Sequence, residues 1–225
     1  MWCVAELDAE YLRKMEDVLA VYEKPYRASE PMGCLDEKPV FLQADVRPSL
    51  PMRPGQVARR DNEYKRCGSA NVFCAVEPKA GRHFTFSISE RSAAELAPVL
   101  GHLIRSYPCA QTIHLVVDNL NIHGRKTLTD YCGEEQGADW WHRLILHYTP
   151  KHGSWLNQAE IEISLFAWQC LGKRTIPSLF LLRSQARAWN RMVNRNKVTI
   201  DWRFTRTKTR QKFNYDKNSF IRLQT

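Results

Sequence analysis

Residues 112–123 have the sequence Thr-Ile-His-Leu-Val-Val-Asp-Asn-Leu-Asn-Ile-His, which predicts a buried strand that ends at Asp118. A second apolar run, Leu-Ile-Leu-His-Tyr at 144–148, predicts another strand, and a helix follows from about Leu156. Open α/β sheets place their sites at the carboxyl ends of strands, so Asp118 is the strongest candidate for a functional acid. The alternative is a structural role in which Asp118 caps the next turn.

The order of the predicted elements indicates the fold class. Three leading strands are followed by alternating helices and strands, which predicts an α/β protein with a ribonuclease-H-like mixed sheet and helices on both faces. Residues 46–60, with three prolines and four arginines, predict an extended basic loop, and 133–139 predict a polar surface loop. The remaining patterns predict helices over 9–22, 92–106, 125–132 and 178–193, and strands over 33–43, 71–76, 83–89, 112–117 and 143–148.

Composition excludes several classes of protein. A hydrophobic fraction of 44% and seven Trp in 225 residues indicate a packed globular chain. There is no apolar run of membrane-spanning length and no signal-peptide pattern, so we expect a cytoplasmic protein with no membrane partner. The seven cysteines are odd in number and form no Cys-x-x-Cys pair, which argues against a disulfide framework or a zinc ribbon and favours buried free thiols.

The net charge of +9 is unevenly distributed. Residues 173–225 hold 14 Lys/Arg and 2 Asp/Glu, a net charge of +12, whereas the first 172 residues carry −3. Aromatic residues are interleaved with the cations of this tail. A basic, aromatic segment of this kind favours contact with nucleic acid over a merely solvated surface.

Two further acids are needed for a metal site, and the residue pattern leaves each choice open. Asp36 and Glu37 are neighbours in a predicted strand, so only one of them can face a given side of the sheet. Glu160 and Glu162 are about 200° apart around a helix and both flank its apolar stripe. Carboxylates suit Mg²⁺ or Mn²⁺, and two such ions can activate a nucleophile and stabilise the leaving oxygen at a phosphodiester.

The chain resembles the mariner-like superfamily of transposases, in its bacterial insertion-sequence branch. The resemblance spans about residues 2–212 and rests on several blocks of sequence: Cys34-Leu-Asp-Glu37, Arg53-Pro-Gly55 with Glu63-Tyr64, Gly68-Ser-Ala-Asn-Val-Phe73, Asp118-Asn-Leu-Asn-Ile-His123, His147-Tyr-Thr-Pro-Lys-His-Gly-Ser-Trp-Leu-Asn-Gln-Ala-Glu-Ile-Glu162, and Val198-Thr-Ile-Asp-Trp-Arg-Phe-Thr205.

The resemblance implies a DDE triad of Asp36, Asp118 and Glu160, which would be both the catalytic residues and the ligands of two Mg²⁺ or Mn²⁺ ions. It assigns Glu160 as the acid that closes the Asn-x-x-Glu pattern beginning at Asn157. The gap of 42 positions from Asp118 to Glu160 is longer than is typical of the superfamily, and we assign the extra length to the predicted loop at 133–139.

The implied function is metal-dependent DNA cleavage and strand transfer during transposition. The alternatives are a stand-alone nuclease of the same fold and an inactive DNA-binding remnant. We expect a helical lead-in at 1–32, the DDE core at 33–175 and a basic helix and tail at 176–225. The residues expected to contact DNA phosphates are Arg53, Arg59, Arg60, His123, Lys151, His152, Lys173 and Arg174.

The resemblance also implies partners. The DNA would be the ends of a mobile element and its target, and the active complex would be a homodimer. Full-length relatives begin with helix-turn-helix modules that read the element ends, and this chain begins at the catalytic half. Three alternatives are open: the second reading frame of a split element, a decayed copy, or a single cloned domain. In the first of these, a separately encoded helix-turn-helix half is a further partner.

Overall fold

The computed structural model describes residues 7–59, 61–90, 92–118 and 124–216. Their strands form one mixed sheet in the order β3-β2-β1-β4-β5, with β1, β2 and β3 antiparallel and with β4 and β5 parallel to β1. This is the predicted arrangement of three leading strands followed by helix–strand alternation. The strands are β1 (Met32–Asp45), β2 (Tyr64–Glu77), β3 (Arg82–Ile88), β4 (Ile113–Val117) and β5 (Leu144–Tyr148).

Helices cover both faces of the sheet, as predicted. One face carries α2, α3 and α4, whose apolar residues pack around Leu35 and Phe73. The opposite face carries α1, α5 and α6, which pack on Cys34, Val72 and neighbouring residues. The helices are α1 (Ala9–Glu23), α2 (Ala93–Arg105), α3 (Gly124–Cys132), α4 (Glu134–Arg143), α5 (Ala159–Leu165), α6 (Leu179–Asn196) and α7 (Arg206–Phe213), with a 3₁₀ turn at Ser154–Leu156 and a π-helical segment at Phe166–Leu171.

β1 is longer than its parallel contact with β4. The β4 pairing covers Met32–Leu35, whereas the antiparallel pairing with β2 continues to Asp45. Pro39 therefore lies where β1 has a described partner on one side, which is where a strand tolerates a residue without an N–H. The predicted basic loop follows as an exposed connection between β1 and β2, with isolated bridges such as Leu50 to Arg59.

The prediction of a polar loop at 133–139 is wrong, because these residues form most of α4. Glu134 and Glu135 lie in its first turn, where negative charge stabilises the helix dipole. Glu134 also forms an ion pair with Arg125. Gly137 is buried against the backbone of Thr129 in α3, so the extra length between Asp118 and Glu160 is packed structure.

The basic C-terminal segment contributes more structure than predicted. Helix α7 has no counterpart among the predicted helices, and it lies against α1 through two cations. Arg206 pairs with Glu23, and Arg210 pairs with Glu16 at 2.6 Å. Part of the positive charge of the tail is therefore neutralised within the fold. The division into lead-in, core and tail stays a prediction.

Two other expectations from composition can be compared with the structure. Cys34, Cys74 and Cys170 are buried free thiols, as predicted, but Cys67 and Cys109 are exposed. No helix in the described ranges is both long enough and apolar enough to cross a membrane.

Candidate active site

Strand register brings the first two candidate acids to one edge of the sheet. Leu35 of β1 is paired in parallel with Val117 of β4. Asp36 and Asp118 each follow one residue later, so they leave neighbouring strands at the same level. Both side chains are partly buried. Adjacent parallel strands thus place two carboxylates at a carboxyl edge, where α/β sheets form their sites.

Thr149 holds Asp118 from the next strand. Val117 is paired with Tyr148 of β5, and the N–H of Thr149 donates to the carbonyl of Val117 at 3.0 Å. The Thr149 hydroxyl donates to Oδ1 of Asp118 at 2.8 Å. Thr149 is fully buried, so this hydroxyl belongs to the rigid sheet and fixes the orientation of the Asp118 carboxylate.

The third acid, Glu160, lies in the first turn of α5, which is tethered directly to β1. The side-chain amide of Asn157 donates to the carbonyl of Leu35 at 2.9 Å, and its oxygen accepts from the N–H of Ala159 at 3.1 Å. The hydroxyl of Tyr22 in α1 donates to the carbonyl of Leu156 at 2.6 Å. These buried contacts place the beginning of α5 beside Asp36.

The electrostatics of Asp36 show that the three acids influence one another. Burial is the main cause that raises the pKa of Asp36 to about 6. The N–H of Glu37 lowers the pKa by donating to the carboxylate, while the negative charges of Glu160, Asp118 and Glu37 raise it further. A cluster of like charges in a partly desolvated site is typical of positions that bind a cation.

The structure distinguishes Asp36 from Glu37 and Glu160 from Glu162, the two choices that the residue pattern could not make. Alternation along β1 puts Asp36 on the same face as Cys34, which packs with Ala159 of α5, and Glu37 on the other face. In α5, Glu160 is exposed, whereas Glu162 is buried and contacts His83 in β3. Glu160 and Glu162 thus lie on different sides of α5, and Asp36 and Glu37 on different faces of β1, while the catalytic triad stays a prediction.

The donors at this edge fit a divalent metal ion in kind. Three carboxylates supply the oxygen ligands that Mg²⁺ and Mn²⁺ prefer, and a cation would offset the repulsion that raises the pKa of Asp36. The side chains do not form a closed cage. Within the described ranges, no three His, Cys, Asp or Glu groups are close enough to hold a metal ion.

The candidate DNA-binding residues occupy three exposed regions. Arg53 and Arg59 lie in the connection between β1 and β2, and Lys173 and Arg174 follow the π-helical segment. Lys151 and His152 form a turn soon after Thr149, the residue that bonds Asp118, and His152 adopts a left-handed φ of 63°. Arg60 and His123 lie outside the described residues.

Four residues around the acids were not predicted to have a role there: Tyr22, His83, Thr149 and Asn157. Asn157 had a usable signal, since it opens the Asn-x-x-Glu pattern that ends at Glu160. Thr149 had a weaker one, because it directly follows a strand parallel to that of Asp118. Tyr22 and His83 act across separations of 134 and 79 residues, and nothing local marks them.

Similarity to known proteins identifies the family to which this chain belongs. The model of the DDE superfamily endonucleases matches residues 31–183, which include all three acids and every strand of the sheet. The chain belongs to the DDE superfamily of endonucleases. No curated protein sequence matches it.

Solved structures of similar fold come from the Mos1 mariner transposase. The chain matches its paired-end complex with Mn with a TM-score of 0.54, 14% identity, and coverage of 88% of this chain and 61% of that one. It matches the Mos1 strand transfer complex with a TM-score of 0.51, 15% identity, and coverage of 88% and 60%. The predicted ribonuclease-H-like fold is confirmed, and this chain spans about 60% of the Mos1 chain.

Proposed function

We propose that this chain is the catalytic domain of a DDE transposase, which cleaves DNA strands and joins the freed ends to target DNA. The observation that carries the proposal is the parallel register that brings Asp36 and Asp118 to one edge of the sheet, with the beginning of α5, which carries Glu160, tethered to β1 beside Asp36. Family membership supports the endonuclease chemistry. The fold shared with a transposase whose structures include a strand transfer complex supports the joining step.

Asp36, Asp118 and Glu160 would hold the metal, as two Mg²⁺ or Mn²⁺ ions. Bound there, the ions supply activation of the nucleophile and stabilisation of the leaving oxygen. Other residues of this chain hold the three acids in position. Thr149 orients Asp118, and Asn157 keeps the beginning of α5 against β1. The similar Mos1 complex is described with Mn, which supports a divalent ion.

The reaction has two balanced steps. A water oxygen forms a bond to phosphorus at the element end, the bond to the 3′ oxygen breaks, and that oxygen leaves as a 3′-hydroxyl after taking up a proton. The freed 3′-hydroxyl then loses its proton and attacks a phosphorus of the target, the bond from that phosphorus to the target's own 3′ oxygen breaks, and that oxygen takes up a proton to leave as a 3′-hydroxyl, so one new phosphodiester replaces the one that breaks. No external energy source is needed for the joining step, because the number of phosphodiester bonds is conserved.

DNA is the proposed partner, both as element ends and as target. The exposed cations at Arg53, Arg59, Lys151, Lys173 and Arg174 would contact phosphates without reading sequence. Mos1 forms paired-end complexes, and this supports a homodimer as the active form of the present chain. A helix-turn-helix module would supply recognition of the element ends.

The test is a cleavage and joining assay with Mn²⁺ or Mg²⁺, the helix-turn-helix half being added where end recognition is needed. We expect the chain to nick DNA only with the ion present, and to join pre-cleaved 3′ ends to a second duplex. Asp118→Asn should abolish both reactions and leave DNA binding intact. The matched control is Asp130→Asn, an exposed acid on α3 that pairs with Lys126.

Each outcome has a separate meaning. Cleavage without joining would identify a stand-alone nuclease. Full cleavage by the Asp118 variant would exclude the triad, and absence of Mn²⁺ binding in calorimetry would indicate an inactive remnant.

A further inference from the structure

Glu162 forms a buried polar contact on the opposite side of α5 from Glu160. Both Glu162 and His83 have side chains that are 1% exposed, and Oε2 of Glu162 lies 2.8 Å from Nδ1 of His83. Two positions along a helix correspond to a rotation of about 200°, so Glu162 enters the core when Glu160 faces the sheet edge. The directions of both side chains therefore depend on the same rotation of α5 about its axis.

His83 is itself rigidly held. Its Nε2 lies 3.0 Å from the carbonyl of Val198, and its backbone N–H and carbonyl both bond the side chain of Asn194, at 2.9 and 2.7 Å. Burial alone would lower the pKa of His83, but the hydrogen bond and charge of Glu162 and the carbonyl of Val198 raise it. Both ring nitrogens face acceptors, so each is placed to donate. Glu162 therefore meets a fixed partner in β3.

The helix that carries Glu160 continues from α5 directly into the π-helical segment Phe166–Leu171. The side chain of Gln158 makes no capping bond, and the N-terminus is held by the Asn157 oxygen, which accepts from the N–H of Ala159. A helix of this length depends on tertiary contacts for its position. An apolar residue at 162 would fill the core at lower desolvation cost, but it would not fix one rotation of the helix through a directional bond.

Cys74 connects this pair to the acids. It is the β2 residue paired with Asp36, and burial raises its pKa, with further increases from the negative charges of Glu162 and Asp36. Glu162 therefore lies over the same strand pair that carries Asp36. A change in its position would be transmitted to Glu160 through half a turn of helix.

We propose that Glu162 and His83 are positioning residues, a buried pair that fixes the rotation of α5 and so directs Glu160 towards Asp36 and Asp118. The inference rests on the proposed metal site, but not on DNA cleavage. Its main readout is Mn²⁺ binding by the purified full chain in calorimetry, and nicking is measured in parallel.

The two nitrogens of His83 can be tested separately. Asn places its amide nitrogen as many bonds from Cα as Nδ1 is, so His83→Asn keeps a donor for Glu162. Gln instead matches Nε2 and keeps a donor for Val198. We expect His83→Gln to weaken Mn²⁺ binding about tenfold, the lower end of the usual effect of residues that orient metal ligands, and His83→Asn to restore most of the loss.

A purely structural role would produce a different result. Tyr107→Phe removes a part-buried hydrogen bond, that to Glu77 at 2.8 Å, which involves neither α5 nor β1. We expect it to lower the melting temperature and leave Mn²⁺ affinity unchanged. Glu162→Gln keeps an acceptor oxygen and serves as the milder variant at the other end of the pair.

Equal Mn²⁺ affinity in His83→Gln, Glu162→Gln and the unchanged chain would overturn the positioning role. Equal losses in the Asn and Gln variants of His83 would also overturn it. If the unchanged chain binds Mn²⁺ with this pattern but cuts no DNA, the proposed function fails and the positioning role stands.

Discussion

The side-chain amide of Asn157 donates to the carbonyl of Leu35 at 2.9 Å, and this bond joins the beginning of α5 to β1 directly before Asp36. Asn157 is 1% exposed, so removal of its side chain leaves the buried carbonyl of Leu35 without this donor. The spacing Asn-x-x-Glu thus has a physical meaning in this chain. Asn157, the first residue of the pattern, anchors the helical turn that carries Glu160, the last residue of the pattern.

Asn157→Ala should lower the free energy of unfolding by about 1–3 kcal/mol, because it leaves a buried carbonyl without a donor. It should lower Mn²⁺-dependent nicking more than the stability loss explains. Urea denaturation gives the first quantity, and nicking at a temperature where the variant is fully folded gives the second. Unchanged nicking by the folded variant would contradict the anchoring role.

Thr149 offers a finer test, since its hydroxyl donates to Asp118 at 2.8 Å and its methyl group is buried with it. Thr149→Val keeps the shape and removes the donor, and we expect about a tenfold loss in Mn²⁺ affinity or nicking rate. Thr149→Ser is the matched control because it keeps the hydroxyl. If both variants lose the same activity, packing and not the hydrogen bond is responsible.

The sequence was sufficient for the parts of the fold that depend on local pattern. The apolar run before Asp118 predicts a strand end, and the Ser92 cap predicts the beginning of α2, where its side chain accepts from the N–H of Glu95. The choice between Asp36 and Glu37 could not be made from periodicity, because it depends on which face of β1 is covered by α5. That is a tertiary fact, and family resemblance supplied it indirectly.

The wrong prediction at 133–139 has a physical cause. Gly133, Gly137 and two adjacent glutamates are typical of loops, but the glutamates occupy the first turn of α4. Gly137 is required by a neighbour, since a Cβ there would lie 2.5 Å from the Cα of Thr129. A glycine that allows close helix contact and a glycine that breaks a helix look the same in one sequence.

The sign of the stability change caused by Gly137→Ala is therefore informative. In a solvent-facing helix this change would stabilise the protein by about 1 kcal/mol, whereas overpacking against α3 should destabilise it by about 1–3 kcal/mol. Chemical denaturation measures the difference, with Gln136→Ala as the exposed neighbour that should be nearly neutral. A stabilised Gly137→Ala variant would show that α4 does not pack on α3 as described.

His114 should make stability depend on pH. Its Nδ1 lies 2.9 Å from Nε2 of His147, its Nε2 lies 3.2 Å from Nζ of Lys24, and Nδ1 of His147 lies 2.7 Å from Asp17. With Lys24 as donor to Nε2 of His114, the bonds run in one direction from Lys24 to Asp17 and the His114 ring is neutral. Burial first, then the charges of Lys24 and His147, lowers the pKa of His114 to about 4.

A lowered pKa in the folded state means that protonation favours the unfolded chain. The contribution of His114 is present above about pH 6.5 and is lost as the pH falls towards 4, by up to about 3 kcal/mol. His114→Gln should reduce the loss measured by urea denaturation between pH 7 and pH 5, whereas His142→Gln, at an exposed position, should not. Equal pH dependence in the unchanged chain and His114→Gln would contradict the assignment.

The cations of the C-terminal segment should divide into two groups by their effect on DNA binding. Lys173 and Arg174 are exposed, and Arg174 donates to the neutral side chain of Gln185 at 2.9 Å, whereas the charge of Arg210 is paired with Glu16 at 2.8 and 2.6 Å. Each phosphate contact contributes about 0.9 to the slope of log K against log salt concentration. Replacing Lys173 and Arg174 together with Gln should reduce that slope by up to about 2.

Arg210→Gln should instead lower the melting temperature and leave the slope unchanged. Titrations at several salt concentrations separate the two, and a reversed pattern would place the DNA path on the α7 side of the fold.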